Sequence, residues 1–223
     1  TSNLTENLLL LGNRNNNRCI SSLYNRHFVI LDLAYPGEGG SVVRSLHNPF
    51  GDGHNVIFAG GSDAAGTAQA VERLATVIRS QPDAGSQLKV GRLADIVLGK
   101  NLKLPERAEK AILVEASPLY GSYGYFGWNI LSKNMALYYL TGDEKYAREF
   151  LRLAFPDAAA SKYIDDVDKE FIELKNDPLA GPYHYNGSMM ILYWDLVEES
   201  PVFSDADREK IVAAFFRQLG HWE

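Results

Sequence analysis

Two short segments carry residue types suited to proton transfer and sugar binding. The first, GPYHYNGS from Gly181 to Ser188, is predicted to be a loop that brings His184, Tyr185 and Asn186 together before a buried helix. Removing a proton next to a carboxylate requires a base such as Tyr or His, a group such as Asn that neutralises the carboxylate, and an acid for the leaving oxygen. Because the segment supplies all three residue types, we predict that His184, Tyr185 and Asn186 are catalytic.

The second segment, YGSYGYFGWN, is rich in aromatic residues and runs from Tyr120 to Asn129. Aromatic faces stack on sugar rings, while Tyr hydroxyls and Asn amides form hydrogen bonds with sugar hydroxyls. We therefore predict a sugar-binding surface. The predicted substrate-binding residues are Tyr120, Tyr123, Tyr125, Trp128, Asn129 and Asn134.

Both segments also have a purely structural interpretation, which the sequence leaves open. Tyr and His side chains at the start of a helix often form hydrogen bonds within a packing interface, and such short motifs have low specificity. Tyr side chains among glycines often fill a core.

Other candidate clusters are weaker. Asp165, Asp166 and Asp168 lack the spacing of an EF-hand loop, so a solvated helix face explains them better than calcium binding or hydrolysis does. His47 and His54 flank a turn, but no further metal ligand lies near them in the sequence. We predict neither a metal site nor a cofactor.

A strand, a glycine turn and a helix are predicted between Asn55 and Arg79. Asn55–Ala59 is a short apolar run with β-branched residues, and Ser62 or Asp63 is a suitable N-cap. Apolar residues then recur at helical spacing from Ala64 to Ile78, which predicts a helix at Ser62–Ser80. The turn matches neither G-x-G-x-x-G nor a P-loop, and Asp63 lies where a phosphate would bind. We therefore interpret this stretch as scaffold rather than as a nucleotide site.

Composition narrows the possible classes of function. The chain has 223 residues and a net charge of −6, and its sequence offers no basic stripe that could neutralise phosphates. Nucleic acid is therefore not expected to be a partner. No apolar run is long enough to cross a membrane. The single cysteine, Cys19, cannot form an intramolecular disulfide and is expected to be a half-buried filler.

Residues 1–100 alternate short apolar runs with turns. Strands are predicted at Leu8–Leu11, Phe28–Leu33 and Ser41–Leu46, in addition to Asn55–Ala59. Asn13–Arg18, NRNNNR, reads as a solvated polar loop. The functional alternative is that its two arginines, at 14 and 18, meet a carboxylated ligand at the carboxyl edge of a sheet.

After Pro105 the pattern becomes helical. A helix is predicted to end at Gly142, and Asp143 is predicted to cap the next one. Further helices are predicted at Ile164–Leu174 and at Met189–Val197, the latter almost wholly apolar and therefore buried on most sides. A last helix is expected to begin at Ser204.

The two halves resemble parts of carbohydrate-active enzymes. The phrase GSVVR at Gly40–Arg44, followed by NVIFAGGSD at Asn55–Asp63, resembles the small α/β domain that precedes the catalytic domain of hexosaminidases and α-glucuronidases. Residues 120–220, with LYYLTGDEKYA at Leu137–Ala147, resemble the (α/α) toroid of polysaccharide lyases of the heparinase II/III and alginate-lyase type. That phrase marks a helix-turn-helix and contains no catalytic residue.

These patterns and resemblances lead to one reading of the chain. The expected fold is α+β, with a small sandwich-like α/β domain at 1–104 and an all-α, incomplete (α/α) toroid at 105–223, because the predicted helices are too few to close a ring. The resemblance implies a polysaccharide lyase acting by β-elimination on an acidic, uronate-containing polysaccharide or oligosaccharide. The alternatives are a glycoside hydrolase on the same toroid and a non-catalytic glycan-binding fragment.

The expected partners are the polysaccharide and the remainder of a longer parent chain. A membrane is not an expected partner. The resemblance also implies a secreted or periplasmic protein. The chain begins with Thr1 rather than Met, which leaves open a removed signal peptide or a trimmed sequence.

Overall fold

The structure, a computed structural model, describes residues 4–81, 89–102, 130–155 and 184–219. The chain divides into two compact units. The first comprises Thr1–Lys103 with Glu199–Pro201, and the second comprises Leu104–Glu198 with Val202–Glu223. All four strands of the described residues lie in the first unit, so the expected α+β class is confirmed.

A single four-stranded sheet organises the first unit. Its strands are β1 (Leu8–Leu11), β2 (Ser41–Leu46), β3 (Val56–Gly61) and β4 (Ala94–Val97), in the order β1-β3-β2-β4. β1 pairs parallel to β3, whereas β2 pairs antiparallel to both β3 and β4. The predictions for β1, β2 and β3 are confirmed within two residues, while β4 was not predicted.

Two helices accompany the sheet, α1 (Arg18–Asn25) and α2 (Ala64–Arg79). α2 begins after its N-cap Asp63, as predicted, and packs on β2 and β3. The apolar cluster that joins them contains Val43, Ala59, Ala70 and Leu74. Since β3 and β4 are both antiparallel to β2, they are parallel to each other, and α2 connects them across the intervening strand.

The strand predicted at Phe28–Leu33 is not formed. Val29 and Leu31 are buried, but the segment runs as irregular backbone. The Asp32 side chain turns the chain by accepting hydrogen bonds from the backbone amides of Ala34 and Tyr35, at 2.8 and 2.9 Å. The alternating apolar residues of this segment are buried beside the sheet, but the segment does not form one of its strands.

The sequence prediction also missed α1. Asn17, expected in a solvated loop, accepts hydrogen bonds from the backbone amides of Cys19 and Ile20 and so serves as the N-cap of α1. Ile20 and Leu23 are buried, whereas Cys19 is exposed. The expectation that Cys19 is half-buried is therefore wrong, because it lies on the solvent side of an amphipathic helix.

The described residues of the second unit contain helices and no strands. These are α3 (Ile130–Thr141), α4 (Glu144–Ala154), α5 (His184–Val197) and α6 (Asp205–Leu219). Gly142, with φ of 68°, ends α3, and Asp143 caps α4 by accepting a hydrogen bond from the Lys145 amide at 3.0 Å. Ser204 and Asp207 form a reciprocal capping pair at the start of α6. The predictions of Gly142, Asp143 and Ser204 as helix boundaries are confirmed.

The helices α3 and α4 differ in how they bury their side chains. In α3, buried residues point in most directions: Leu131, Asn134, Met135, Leu137, Tyr138 and Tyr139. In α4 they form one stripe, and charged residues such as Glu144 and Arg148 occupy the opposite side. The helix predicted at Ile164–Leu174 lies outside the described residues.

Candidate functional site

The glycine turn after β3 is held by the side chain of Asp63. One carboxylate oxygen accepts a hydrogen bond from the Gly66 amide at 2.7 Å, and the other accepts one from the Gly39 amide at 2.8 Å. These two bonds, which outweigh the opposing effect of desolvation, lower the pKa of Asp63. The carboxylate thus takes the position at the start of α2 that an anion would use.

Glycines in this turn allow backbone segments to approach each other closely. A Cβ on Gly60 would overlap the carbonyl oxygen of Gly12, and one on Gly66 would overlap the carbonyl oxygen of Gly40. One on Gly61 would lie 2.5 Å from the same Gly40 oxygen. The turn is therefore filled by protein backbone, which agrees with its interpretation as scaffold.

Arg14 belongs to a cluster at the carboxyl end of β1. Its guanidinium carbon lies 4.1 Å from the centroid of the Tyr24 ring, and the Tyr24 hydroxyl donates a hydrogen bond to Asp32 at 2.8 Å. Desolvation raises the pKa of Asp32, but hydrogen bonds from Tyr35, Tyr24 and Ala34, together with the charge of Arg14, lower it overall. Arg14 thus has an intramolecular role in joining α1 to the loop around Asp32.

A cleft of about 690 Å³ lies at the other end of the sheet, by the amino ends of β1 and β3. Its lining includes the apolar side chains of Leu9 and Ile57 and the polar ones of His47, Lys89 and Arg92. Sequence reasoning did not find this cleft, because its walls come from segments far apart in the chain. Of the residues predicted to be catalytic or sugar-binding, none is among its described lining.

The predicted catalytic residues are not in a loop. His184, Tyr185 and Asn186 are the first three residues of α5, which begins five residues before the predicted start at Met189. Extending an existing helix adds a backbone hydrogen bond for each residue, and a single glycine, Gly187, costs only about 1 kcal/mol relative to alanine. The prediction that this segment is a loop is wrong, whereas the three residues do remain adjacent at one end of the helix.

Asn134 is the predicted substrate-binding residue that the structure describes. It lies in the second turn of α3 and is 4% exposed, which is unusual for an amide side chain among apolar neighbours. The remaining predicted sugar-binding residues lie outside the described residues: Tyr120, Tyr123, Tyr125, Trp128 and Asn129.

An aromatic cluster around Phe203 joins the helices of the second unit. The Phe203 ring centroid lies 5.9 Å from that of Tyr138 and 5.1 Å from that of Trp194. Tyr138 is in the last turn of α3, and Trp194 is in the last turn of α5. α3 also packs against α5, and the carboxyl ends of the two helices meet at Phe203.

The apolar sequence of α5 predicted burial on most sides, and this prediction is wrong. Met190, Trp194 and Val197 form one buried stripe, whereas Leu192 is exposed. Desolvation raises the pKa of Tyr193 and that of Asp195 on the same helix. The sequence analysis did not include Tyr193 or Asp195 in the predicted site. The feature that could have drawn attention to them is a single Asp within an otherwise apolar segment.

Comparison of this chain with protein-family models, curated proteins and solved structures finds no significant match. Among the described residues, no three His, Cys, Asp or Glu side chains gather as a metal site would require. In the same ranges, none of the helices is both long enough and apolar enough to cross a lipid bilayer.

Proposed function

We propose that this protein is a polysaccharide lyase that acts by β-elimination on a uronate-containing polysaccharide. The observation that carries the proposal is the meeting of the carboxyl ends of α3 and α5 at Phe203. It supports an arrangement in which the first turn of α5, with His184, Tyr185 and Asn186, shares one end of the helix pair with the beginning of α3. Asn134, one turn into α3, is then near that end.

The contrast between α3 and α4 supports the proposed (α/α) toroid. In such a ring, inner helices contact neighbours on most sides, while outer helices bury one stripe and expose the other. α3 has the first pattern and α4 the second, and the Gly142–Asp143 turn connects them. We propose that α3 is an inner helix, that α4 is an outer one, and that further helices complete the ring.

The proposed chemistry uses groups at this end of the helices. His184 or Tyr185 removes the proton beside the uronate carboxylate, while Asn186 and Asn129 stabilise the charge that develops on it. A carbon–carbon double bond forms, the bond from carbon to the leaving sugar oxygen breaks, and the second of the two side chains protonates that oxygen. The aromatic residues from Tyr120 to Trp128 hold the sugar rings.

The test is to incubate the full-length protein with a panel of uronate polysaccharides and to follow ultraviolet absorbance of the unsaturated product. We expect Tyr185→Phe or His184→Ala to lower turnover about 10²-fold or more, with the circular dichroism spectrum retained. Tyr193→Phe, later on the same helix, is the matched control and should keep full turnover. Full activity in both site variants would refute the assignment of these residues.

A glycoside hydrolase on the same toroid is the second candidate. A hydrolase would release reducing ends without ultraviolet absorbance. A glycan-binding protein would bind the polysaccharide and release neither product. A polysaccharide substrate of either kind goes with a secreted or periplasmic location.

A further inference from the structure

The outer edge of β1 has no neighbouring strand in the part of the chain that the structure describes. The Leu8 amide donates to the Asn55 carbonyl, and the Gly12 amide donates to the Ala59 carbonyl. Because successive amides of a strand point to opposite sides, the amides of Leu9 and Leu11 point away from β3. They therefore line an open sheet edge.

This edge also carries apolar side chains that the described part of the chain leaves exposed. Leu9 is 54% exposed and Leu11 is 46% exposed. Their partners in the register with β3 are Ile57 and Ala59, which pack towards α2. α2 lies over β2 and β3, so it does not cover the half of this face that belongs to β1.

The charges beside β1 differ in sign at its two ends. Glu6 precedes the strand and is exposed. At the other end, the Asn17 side chain donates a hydrogen bond to the Leu11 carbonyl, and the exposed Arg18 follows it. Antiparallel pairing of two such strands brings the acidic end of each copy to the basic end of the other, whereas parallel pairing brings like charges together.

We propose that two copies of this chain associate through β1, edge to edge and antiparallel. The open groups are the amides of Leu9 and Leu11 and the carbonyl of Leu9, since Asn17 already binds the carbonyl of Leu11. Another extended backbone satisfies such groups best. Two-fold symmetry places the exposed leucines of both copies on one face, and the strand itself contains no charge to oppose pairing.

Sedimentation velocity over a range of protein concentrations tests this proposal. We expect the wild type to form dimers and Leu9→Lys to raise the dissociation constant at least about tenfold, as for loss of an interface hot spot. Leu33→Lys is the matched control, because Leu33 is 66% exposed but lies outside the sheet, and it should leave the dimer intact.

Charge reversal tests the antiparallel arrangement. Glu6→Arg and Arg18→Glu should each weaken the dimer, and the double variant should restore it. If Leu9→Lys fails to fold, hydrogen exchange of the wild type replaces it, and the Leu9 and Leu11 amides should exchange more slowly as concentration rises. A monomer at every concentration, a dimer unchanged by Leu9→Lys, or a dimer lost only with Phe216→Lys on α6 would overturn the proposal.

Discussion

Asp63 connects two parts of the sheet unit that are distant in sequence. Its carboxylate binds the amide of Gly66 in the first turn of α2 and the amide of Gly39 in the preceding loop. Both bonds favour the ionised form and lower the pKa below the ordinary value of 3.8. The free energy of unfolding therefore gains from Asp63 only while the carboxylate is charged.

This dependence on charge predicts a pH effect. The contribution of Asp63 is present above the pKa of the unfolded chain and is lost as the pH falls through the lower pKa of the folded state. We expect Asp63→Asn to be less stable than the wild type at neutral pH and nearly equal to it well below about pH 4. Urea unfolding across this range measures the difference, and a constant difference would contradict the prediction.

Gly66 allows a second test at the residue scale. Gly66→Ala should destabilise the sheet unit by about 2 to 3 kcal/mol, because the new methyl group meets the backbone of Gly40 and neither segment can move without disturbing the turn. Gly91→Ala is the matched control, since a Cβ there meets nothing within 4 Å, and its effect should stay within about 0.5 kcal/mol. Equal stability of the two variants in thermal unfolding would refute the close-packed turn.

At the scale of the elements, Phe150 is the central side chain of the helical unit. It is fully buried in α4, with its ring centroid 6.3 Å from those of both Trp194 and Phe203. It thereby joins α4 to α5 and to the segment before α6. The three aromatic rings thus pack against one another between these helices.

We expect Phe150→Ala to lower the free energy of unfolding of the helical unit by about 3 to 5 kcal/mol. Phe216→Ala provides the comparison, because Phe216 is 69% exposed on α6 and its truncation leaves no cavity. Urea titration followed by tryptophan fluorescence measures both variants. A similar midpoint for the two would show that Phe150 is not central to the packing.

At the scale of the whole molecule, the two units have separate cores and separate spectroscopic signals. The three tryptophans, Trp128, Trp194 and Trp222, all belong to the second unit, so tryptophan fluorescence reports on that unit alone.

We expect two unfolding transitions, as is usual for a chain with two cores. Gly66→Ala should shift the transition seen by circular dichroism but not the one seen by fluorescence, and Phe150→Ala should shift the fluorescence transition. A single transition that both variants move equally would show that the units unfold together.

Local signals in the sequence determined most of the elements and several of their boundaries. Ser41–Leu46 and the strand at Asn55–Ala59 were evident from β-branched apolar runs between turn residues. The N-caps Asp63 and Asp143 were evident because a capping side chain binds amides only two or three residues away. The sequence also revealed the residue types of the candidate site, but it did not reveal their positions relative to each other.

Tertiary structure decided what depends on residues far apart in the chain. The segment Phe28–Leu33 has the alternation of a strand, yet it packs beside the sheet, where the Asp32 side chain turns the chain. β4 has a weak pattern and is a strand because β2 pairs with it. Leu9 and Leu11 are exposed because α2 covers β2 and β3, and the carboxyl ends of α3 and α5 meet through Phe203. Each of these outcomes rests on long-range packing, which the order of residues along one segment does not encode.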